Sequence, residues 1–408
     1  MKRALFQLHW FLGLTAGIVL MVLGVTGAML TFADEIMAVL SPGIVTVAPR
    51  AEPRLTPDAL LARVREAAPG RRVALLTLSG EPDRAARVRF ALEGGGRRES
   101  TYVDPYDGRV LGPARGEAAF GVVLRLHRWL TLPGDGNGYG RPITGACLLA
   151  LLYLALSGLY LRWPRRAGDW RVWLKPALSR PGRPLYWSLH VVAGTWVLLV
   201  YLTIALTGLW WSYGWYRDGA SYLLTGRIPR AEEPPRAEAS PGAEGNPGAE
   251  RPPGRREGGH GAAVPLDPAF AAFVAATGDR YAEALLVPPR EAGPAIRIRA
   301  VAPDAPHRQA RDEWRIRADG TVESRDLYAA RALGERLTGS VLALHEGRFF
   351  GLPGTLLFML AALAMPLFGV TGLLLYLGRR RGRRRAAVRA ARPPREQARE
   401  LPSGPLRH

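Results

Sequence analysis

The chain has 408 residues, 48% of them hydrophobic, and a formal net charge of +20. A single cysteine, Cys147, excludes a disulfide framework or a thiolate metal cluster built within one chain. Most of the positive charge lies in three segments, at Lys2 and Arg3, at 162–183 and at 379–407, and this distribution indicates membrane topology rather than nucleic-acid binding.

Four long apolar segments predict four membrane-spanning helices, because a helix needs about 20 mostly apolar residues to cross a bilayer. The basic segments alternate with the other connections between these helices, which places the basic segments and both termini in the cytoplasm. The first apolar segment is longer than the core of a signal peptide, so we predict a retained anchor. The predicted spans are residues 1–35, 141–163, 185–216 and 354–378.

Two segments between the spans have the pattern of small α+β domains outside the membrane. In the first, Thr56 and Pro57 begin a helix that precedes alternating strands, and in the second a helix begins at Pro268. An amphipathic segment at the membrane surface follows each domain. The predicted boundaries are 49–112 and 264–330 for the domains, 117–134 and 336–353 for the interfacial helices, 164–184 for a basic cytoplasmic loop, 227–263 for a flexible linker and 379–408 for a basic cytoplasmic tail.

The sequence contains the same structural unit twice. A Leu-His pair with glycine four residues after the histidine and Thr-Gly seventeen residues after it occurs at His9 and again at His190. A second Leu-His pair, followed by a Leu-Pro-Gly break, occurs at His127 and again at His345. We therefore predict a mainly α polytopic membrane protein, a four-helix transmembrane bundle from a duplicated two-span unit, with two small α+β extracytoplasmic domains.

The predicted topology sorts these histidines into two levels. His9 and His190 lie at the cytoplasmic end of their spans, and His127 and His345 lie at the outer end. Two imidazoles on opposite sides of one iron suit the axial positions of haem, which supplies its own four nitrogens. A closed zinc or copper site is less well supported, because Glu346 is the only further ligand nearby.

A structural interpretation of the same histidines stays open. A single histidine near a helix end is often a hydrogen-bonded residue of the membrane interface. The repeated and paired contexts favour ligation, because ionisable groups in membrane spans are costly and usually functional. The other three histidines, His260, His307 and His408, are predicted to be solvated.

Other residues are candidates for contact with a flat cofactor. Gly13 and Gly194 lie one helical turn after a histidine and leave that face without side-chain bulk, or alternatively allow close helix packing. Arg128 and Arg348 are available at the outer surface for propionate groups. The aromatic residues of 210–216 are predicted to form an interfacial belt, with a ligand-stacking surface or electron relay as the alternative.

Several motifs resemble the PepSY-associated transmembrane family over nearly the whole chain. They are the two Leu-His-x3-Gly and Thr-Gly spans, the Leu-His and Leu-Pro-Gly repeats, the stretch from Ser157 to Arg166 and the strand pair from Val103 to Gly112. In the second outer domain the Asp-Pro-x-Asp-Gly motif is reduced to Asp319-Gly320. The resemblance implies PepSY-like outer domains in a bacterial inner-membrane protein of iron uptake.

Some members of that family are ferric-siderophore reductases with two b-type haems. The resemblance therefore implies that His9 and His190 hold one haem b and that His127 and His345 hold another. The first hypothesis is a transmembrane oxidoreductase that passes electrons from an unidentified cytoplasmic or quinol donor to a ferric siderophore or other ferric chelate outside. The alternatives are a non-catalytic membrane anchor whose outer domains bind or inhibit peptidases and, third, a transporter of a metal chelate.

Overall fold

The computed structural model describes residues 2–91, 99–228, 264–289 and 295–391, with side chains to residue 388. Most of the predicted linker 227–263 and part of the predicted tail 379–408 therefore lie outside the described residues, as do His260 and His408. The α-helices are α1 (Lys2–Leu30), α2 (Ala33–Leu40), α3 (Pro57–Ala67), α4 (Glu117–Trp129), α5 (Gly140–Arg162), α6 (Trp170–Leu174), α7 (Arg183–Trp196), α8 (Leu198–Ser212), α9 (Gly214–Thr225), α10 (Asp267–Thr277), α11 (Leu333–Gly339), α12 (Val341–His345), α13 (Gly351–Leu363) and α14 (Met365–Ala391).

The described residues contain three helices that are long and apolar enough to cross a membrane. They are Lys2–Leu30, Gly140–Arg162 and Arg348–Val388, the last of which contains α13 and most of α14. The bent pair of α7 and α8 adds a fourth if it is counted as one span. The prediction of a mostly helical, multi-pass membrane protein is thus confirmed at this level. The span predicted at 185–216 differs from one straight helix, because α7 and α8 meet at 62°.

The two helix breaks lie beside residues that weaken a helix. Thr195 donates its hydroxyl hydrogen to the carbonyl of Val191, a bond that often bends helices, and it follows Gly194, which weakens a helix interior. Between α13 and α14 the break lies at Ala364, just before Pro366. Proline has no N–H to continue the helical ladder, so a new helix begins there.

Both outer segments contribute to one antiparallel sheet. Its strands are β1 (Val73–Ser79), β2 (Ala86–Phe90), β3 (Ser100–Val103), β4 (Val110–Gly112), β5 (Glu283–Val287), β6 (Ile296–Val301), β7 (Arg311–Ile316) and β8 (Val322–Asp326). The order is β4-β3-β2-β1-β5-β6-β7-β8, and the halves join where Leu76 of β1 pairs with Leu286 of β5. The two predicted domains are therefore halves of a single eight-stranded sheet.

A shared core and a reciprocal pair of caps hold the two halves together. Leu60 of α3, Phe273 of α10 and residues of strands from both halves form one buried apolar cluster. The Asp58 carboxylate accepts hydrogen bonds from the N–H groups of Leu266 and Asp267, and Asp267 accepts one from the N–H of Asp58 at 2.8 Å. Each carboxylate therefore satisfies donors at the start of the other helix.

The loop between β6 and β7 attaches the sheet to the membrane helices. Arg308 forms an ion pair with Asp34 of α2 at 2.9 Å. His307 is buried against Phe349, and its Nε2 lies 3.4 Å from the Tyr328 hydroxyl. The prediction that His307 is solvated is wrong, because this loop folds onto the segment that carries α12.

Candidate functional site

The four repeated histidines meet in two pairs. The His9 pair consists of His9 on α1 and His190 on α7, with ring centroids 6.4 Å apart. The His127 pair consists of His127 on α4 and His345 on α12, with ring centroids also 6.4 Å apart. Each pair takes one histidine from each half of the duplicated sequence.

Every one of these imidazoles has a hydroxyl partner on another helix. The partners share one feature, a glycine directly after the serine or threonine. In the His9 pair, Nδ1 of His9 lies 2.8 Å from Oγ of Ser157, and Nδ1 of His190 lies 2.9 Å from Oγ1 of Thr371. In the His127 pair, Nδ1 of His127 lies 3.0 Å from Oγ1 of Thr26, and Nδ1 of His345 lies 2.9 Å from Oγ1 of Thr207. The Ser-Gly and Thr-Gly motifs of the spans are thus histidine partners, a role that the sequence analysis did not assign.

The hydroxyl groups determine which ring nitrogen carries the hydrogen. Thr26, Thr207 and Thr371 each donate their only hydroxyl hydrogen to a carbonyl four residues earlier, at 2.6 Å. Their oxygens are left as acceptors, so the histidine Nδ1 is the donor. His127 Nδ1 also lies 3.0 Å from the carbonyl of Leu23, which can only accept. Nε2 therefore keeps its lone pair, as expected of a metal ligand whose other nitrogen is held by a second partner.

The glycine after each hydroxyl lies against the imidazole ring. A Cβ atom built at Gly27 would be 3.0 Å from Cε1 of His127, and one at Gly158 would be 3.3 Å from Cε1 of His9. The corresponding distances are 3.4 Å at Gly208 and 3.7 Å at Gly372. These glycines allow the rings to approach the helix backbone closely.

Gly13 and Gly194, the glycines predicted to leave room beside a cofactor, do not touch the histidine rings. A Cβ at Gly13 would contact only Leu154 at 3.9 Å, and one at Gly194 would contact only Phe368 at 3.6 Å. Both are ordinary van der Waals distances. These two positions therefore have room for a small side chain, as does Gly372, whereas the tight contacts with a histidine ring lie at Gly27 and Gly158.

Of the predicted propionate partners, Arg348 is bonded to carboxylates. Its guanidinium donates to Glu35 at 3.0 and 3.2 Å and to the carbonyl of Thr31 at 2.6 Å, and it lies 3.3 Å from Glu346. Partial burial works to raise the pKa of Glu35, but the hydrogen bonds and charge of Arg348 bring it below its ordinary value. Burial raises the pKa of Glu346 to about 7, against the opposing charge of Arg348. Arg128 stacks over the ring of Trp129, with Cζ 4.8 Å from the centroid.

The spacing of each pair fits two axial ligands of one metal ion. An imidazole centroid lies about 1.1 Å behind its nitrogen, so two imidazoles bound at about 2.0 Å on opposite sides of an ion have centroids about 6.2 Å apart. The observed 6.4 Å in both pairs leaves room for this arrangement when both Nε2 atoms face the same ion. No group of three or more His, Cys, Asp or Glu suited to a metal ion occurs among the described residues. Haem, which brings four nitrogens, fits such two-ligand sites.

The two pairs are separated by most of the thickness of a bilayer. Helix α1 carries His9 of one pair and Thr26, the hydroxyl partner of the other. Seventeen residues of helix rise about 25 Å, against about 30 Å for the hydrocarbon core. One helix, α1, therefore sets the distance between the pairs.

Comparison with known proteins gives one family. The family model described as PepSY-associated TM region matches residues 6–379. No curated protein matches the chain. The matched range includes both histidine pairs and all four hydroxyl partners.

Proposed function

This chain belongs to the PepSY-associated TM region family, and we propose that it is a haem-containing electron conduit of the bacterial inner membrane. The His9 pair holds one haem b near the cytoplasmic face, and the His127 pair holds a second near the outer face. An electron from a cytoplasmic or quinol donor passes from the first site to the second. It then reduces a ferric siderophore or another ferric chelate outside, in iron uptake.

The observation that carries this proposal is the repeated geometry of the two pairs. Both pairs have a centroid distance of 6.4 Å, and each of the four histidines has a hydroxyl partner on Nδ1 that is followed by a glycine. Interfacial histidines that only bond to the backbone or to water do not need to face each other in this way. Bound haem supplies one-electron chemistry between ferric and ferrous iron, while the protein sets ligation, spacing and burial.

The proposed topology has four spans, built from the duplicated two-span unit, with α7 and α8 together as the third. The positive charge of residues 162–183 and of 379–385 supports a cytoplasmic position for the ends that carry the His9 pair. The sheet then lies outside, joined to the same end as the His127 pair through the ion pair between Arg308 and Asp34.

Aromatic residues near the His127 pair support an outer docking site for the chelate. The ring of Trp211 lies 5.4 Å from that of His345, centroid to centroid. Trp215, four residues later and beyond the break between α8 and α9, is 67% exposed and packs against Tyr213. A ferric chelate on this surface receives one electron. The resulting ferrous ion binds hard oxygen ligands more weakly, so iron is released.

The direct test is the haem content of the purified full-length protein. We expect detergent-purified protein from haem-replete cells to give two haems b per chain in a pyridine haemochrome assay. The dithionite-reduced bands should disappear when a ferric hydroxamate is added under argon. A colourless preparation contradicts the proposal and favours the membrane anchor with peptidase-binding outer domains.

A glycine substitution tests whether the ring position matters. Gly27→Ala puts a methyl group 3.0 Å from His127 Cε1, which forces the ring to shift by a few tenths of an ångström. We expect the haem of the His127 pair to transfer to apomyoglobin about tenfold faster, as when the surroundings of a metal ligand are disturbed. Gly372→Ala is the matched control, because its methyl group would lie 3.7 Å from His190 Cε1. The prediction is contradicted if each variant speeds the transfer of its own haem by the same factor relative to the unsubstituted protein.

A further inference from the structure

The core between the two histidine pairs is not symmetric. Leu20 lies six residues before Thr26, and Tyr201 lies six residues before the equivalent Thr207. In the same way, Leu154 and Phe368 lie three residues before the equivalent residues Ser157 and Thr371. One half thus carries two leucines where the other carries two aromatic rings. Contacts support this equivalence, because Leu154 faces Gly13 and Phe368 faces Gly194.

The two aromatic rings form a chain that begins at a histidine. The Phe368 centroid lies 5.5 Å from that of His190, and the Tyr201 centroid lies 5.7 Å from that of Phe368. Tyr201 is 6% exposed and donates its hydroxyl hydrogen to the carbonyl of Ala361 at 2.8 Å. This bond fixes the ring in the apolar cluster between the pairs.

The chain covers part of the distance between the two levels, because its two centroid steps of 5.5 and 5.7 Å reach at most about 11 Å from His190. Phe368 precedes Thr371, the partner of His190, by three residues, which is about 4.5 Å of helix rise. Tyr201 precedes Thr207, the partner of His345, by six residues, or about 9 Å. Of the roughly 25 Å between the pairs, more than half lies beyond Tyr201, where no further ring among the described residues contacts this chain.

We propose that Phe368 and Tyr201 are the route by which electrons pass between the two sites, an inference that rests on the proposed function. One electron leaves ferrous iron at the His9 pair and arrives at ferric iron at the His127 pair, and no bond is made or broken. The rings are not themselves oxidised. Their π orbitals couple the two sites more strongly than saturated side chains do, because electron tunnelling weakens steeply across gaps and saturated groups.

The test uses full-length protein in liposomes, reduced with dithionite and then freed of it. Ferricyanide, which does not cross bilayers, is added in a stopped-flow spectrophotometer while the reduced haem band is recorded. The haem near the outside of the vesicle is oxidised in a fast phase, and the far haem follows in a slow phase that requires transfer between the sites. This holds for either orientation of the protein in the vesicle.

We expect Phe368→Leu and Tyr201→Leu, which copy the other half of the repeat, to slow the second phase by about tenfold, equivalent to about 1.4 kcal/mol in the barrier. The fast phase and the haem content should stay unchanged in both variants. In Tyr201→Leu the midpoint potential of each haem should stay unchanged as well. Tyr201→Phe keeps the ring and should keep the rate. Phe358→Leu, in the same buried cluster but outside the ring chain, controls for packing.

Two outcomes overturn the inference while leaving the proposed function intact. One is an unchanged slow phase in Phe368→Leu and Tyr201→Leu proteins that both hold two haems. The other is an equal slowing in Tyr201→Phe, which would assign the effect to the hydrogen bond with Ala361, or in Phe358→Leu, which would assign it to packing. A protein without haem overturns the proposed function, and with it this route.

Discussion

Replacing His127 by alanine is expected to abolish the low-spin spectrum of one haem and leave the other unchanged. In the proposed function the His127 pair would supply two nitrogens to the iron of the outer haem, so the removal of one would leave that iron without a ligand. The sharp reduced band should lose half of its intensity. Reoxidation of the remaining haem by a ferric hydroxamate should fall to the rate seen without added chelate, because the electron no longer reaches the outer side. Both changes are measured by visible spectroscopy on anaerobic protein.

Double substitutions separate two sites from one. His127→Ala combined with His345→Ala removes the same site twice, so we expect no more loss than with either change alone. His127→Ala combined with His9→Ala removes both sites, and the low-spin spectrum should disappear. Additive loss within one pair, or no loss from His9→Ala alone, contradicts the pairing.

A buried histidine outside the pairs provides the control for this series. His307 is 7% exposed and contacts Tyr328 and Phe349. His307→Ala is expected to keep the full haem spectrum, although it removes a buried imidazole near the same end of the helices. Loss of haem in this variant would show that the spectrum reports folding rather than ligation.

The repeated motifs explain why much of this protein could be predicted from its sequence. Apolar segments long enough to span a bilayer are a local property, and the prediction of a polytopic helical membrane protein is confirmed. The family predicted from the Leu-His and Ser-Gly-Leu motifs is confirmed as well. Helix α3 begins where its capping pattern predicts, and the Thr56 hydroxyl accepts from the N–H of Ala59.

Contacts between distant segments could not be predicted in the same way. The pairing of β1 with β5 joins strands more than 200 residues apart, and no local pattern in either strand names its partner. Strand β5 itself was missed. The burial of His307 depends on where a loop docks, which its own sequence does not indicate.

The hydroxyl partners of the histidines lie between these two cases. The spacing of Thr26 and Thr207 after a histidine is visible in the sequence. It suggests a relation within one helix, whereas each threonine bonds to a histidine of a different helix. The signal that could have indicated a role is the recurrence of a hydroxyl residue before glycine in all four apolar segments. Geometry was needed to assign that role.

The second large effect is expected at one of these hydroxyl groups. Thr371→Val keeps the shape of the side chain but removes the acceptor that lies 2.9 Å from His190 Nδ1. A buried N–H left without a partner costs about 1–3 kcal/mol. We expect the haem of the His9 pair to dissociate about 10–100-fold faster, the usual effect of losing a partner of a metal ligand. Its midpoint potential should rise, because a less basic imidazole stabilises ferric iron less.

Two further variants make this result specific to the bond with histidine. Thr355 is as buried as Thr371, at 3% exposure, and also donates to a carbonyl four residues earlier, but the described contacts give it no histidine. Thr355→Val should therefore leave the dissociation rate and both potentials unchanged, while Thr371→Ser keeps a hydroxyl and should restore them. If Thr371→Val and Thr355→Val behave alike, the hydroxyl acts through helix packing and the assigned role of Nδ1 is wrong. If only Thr371→Val changes the haem, the orientation of His190 depends on the bond to span four, and the recurrence of this bond in all four histidines has a chemical reason.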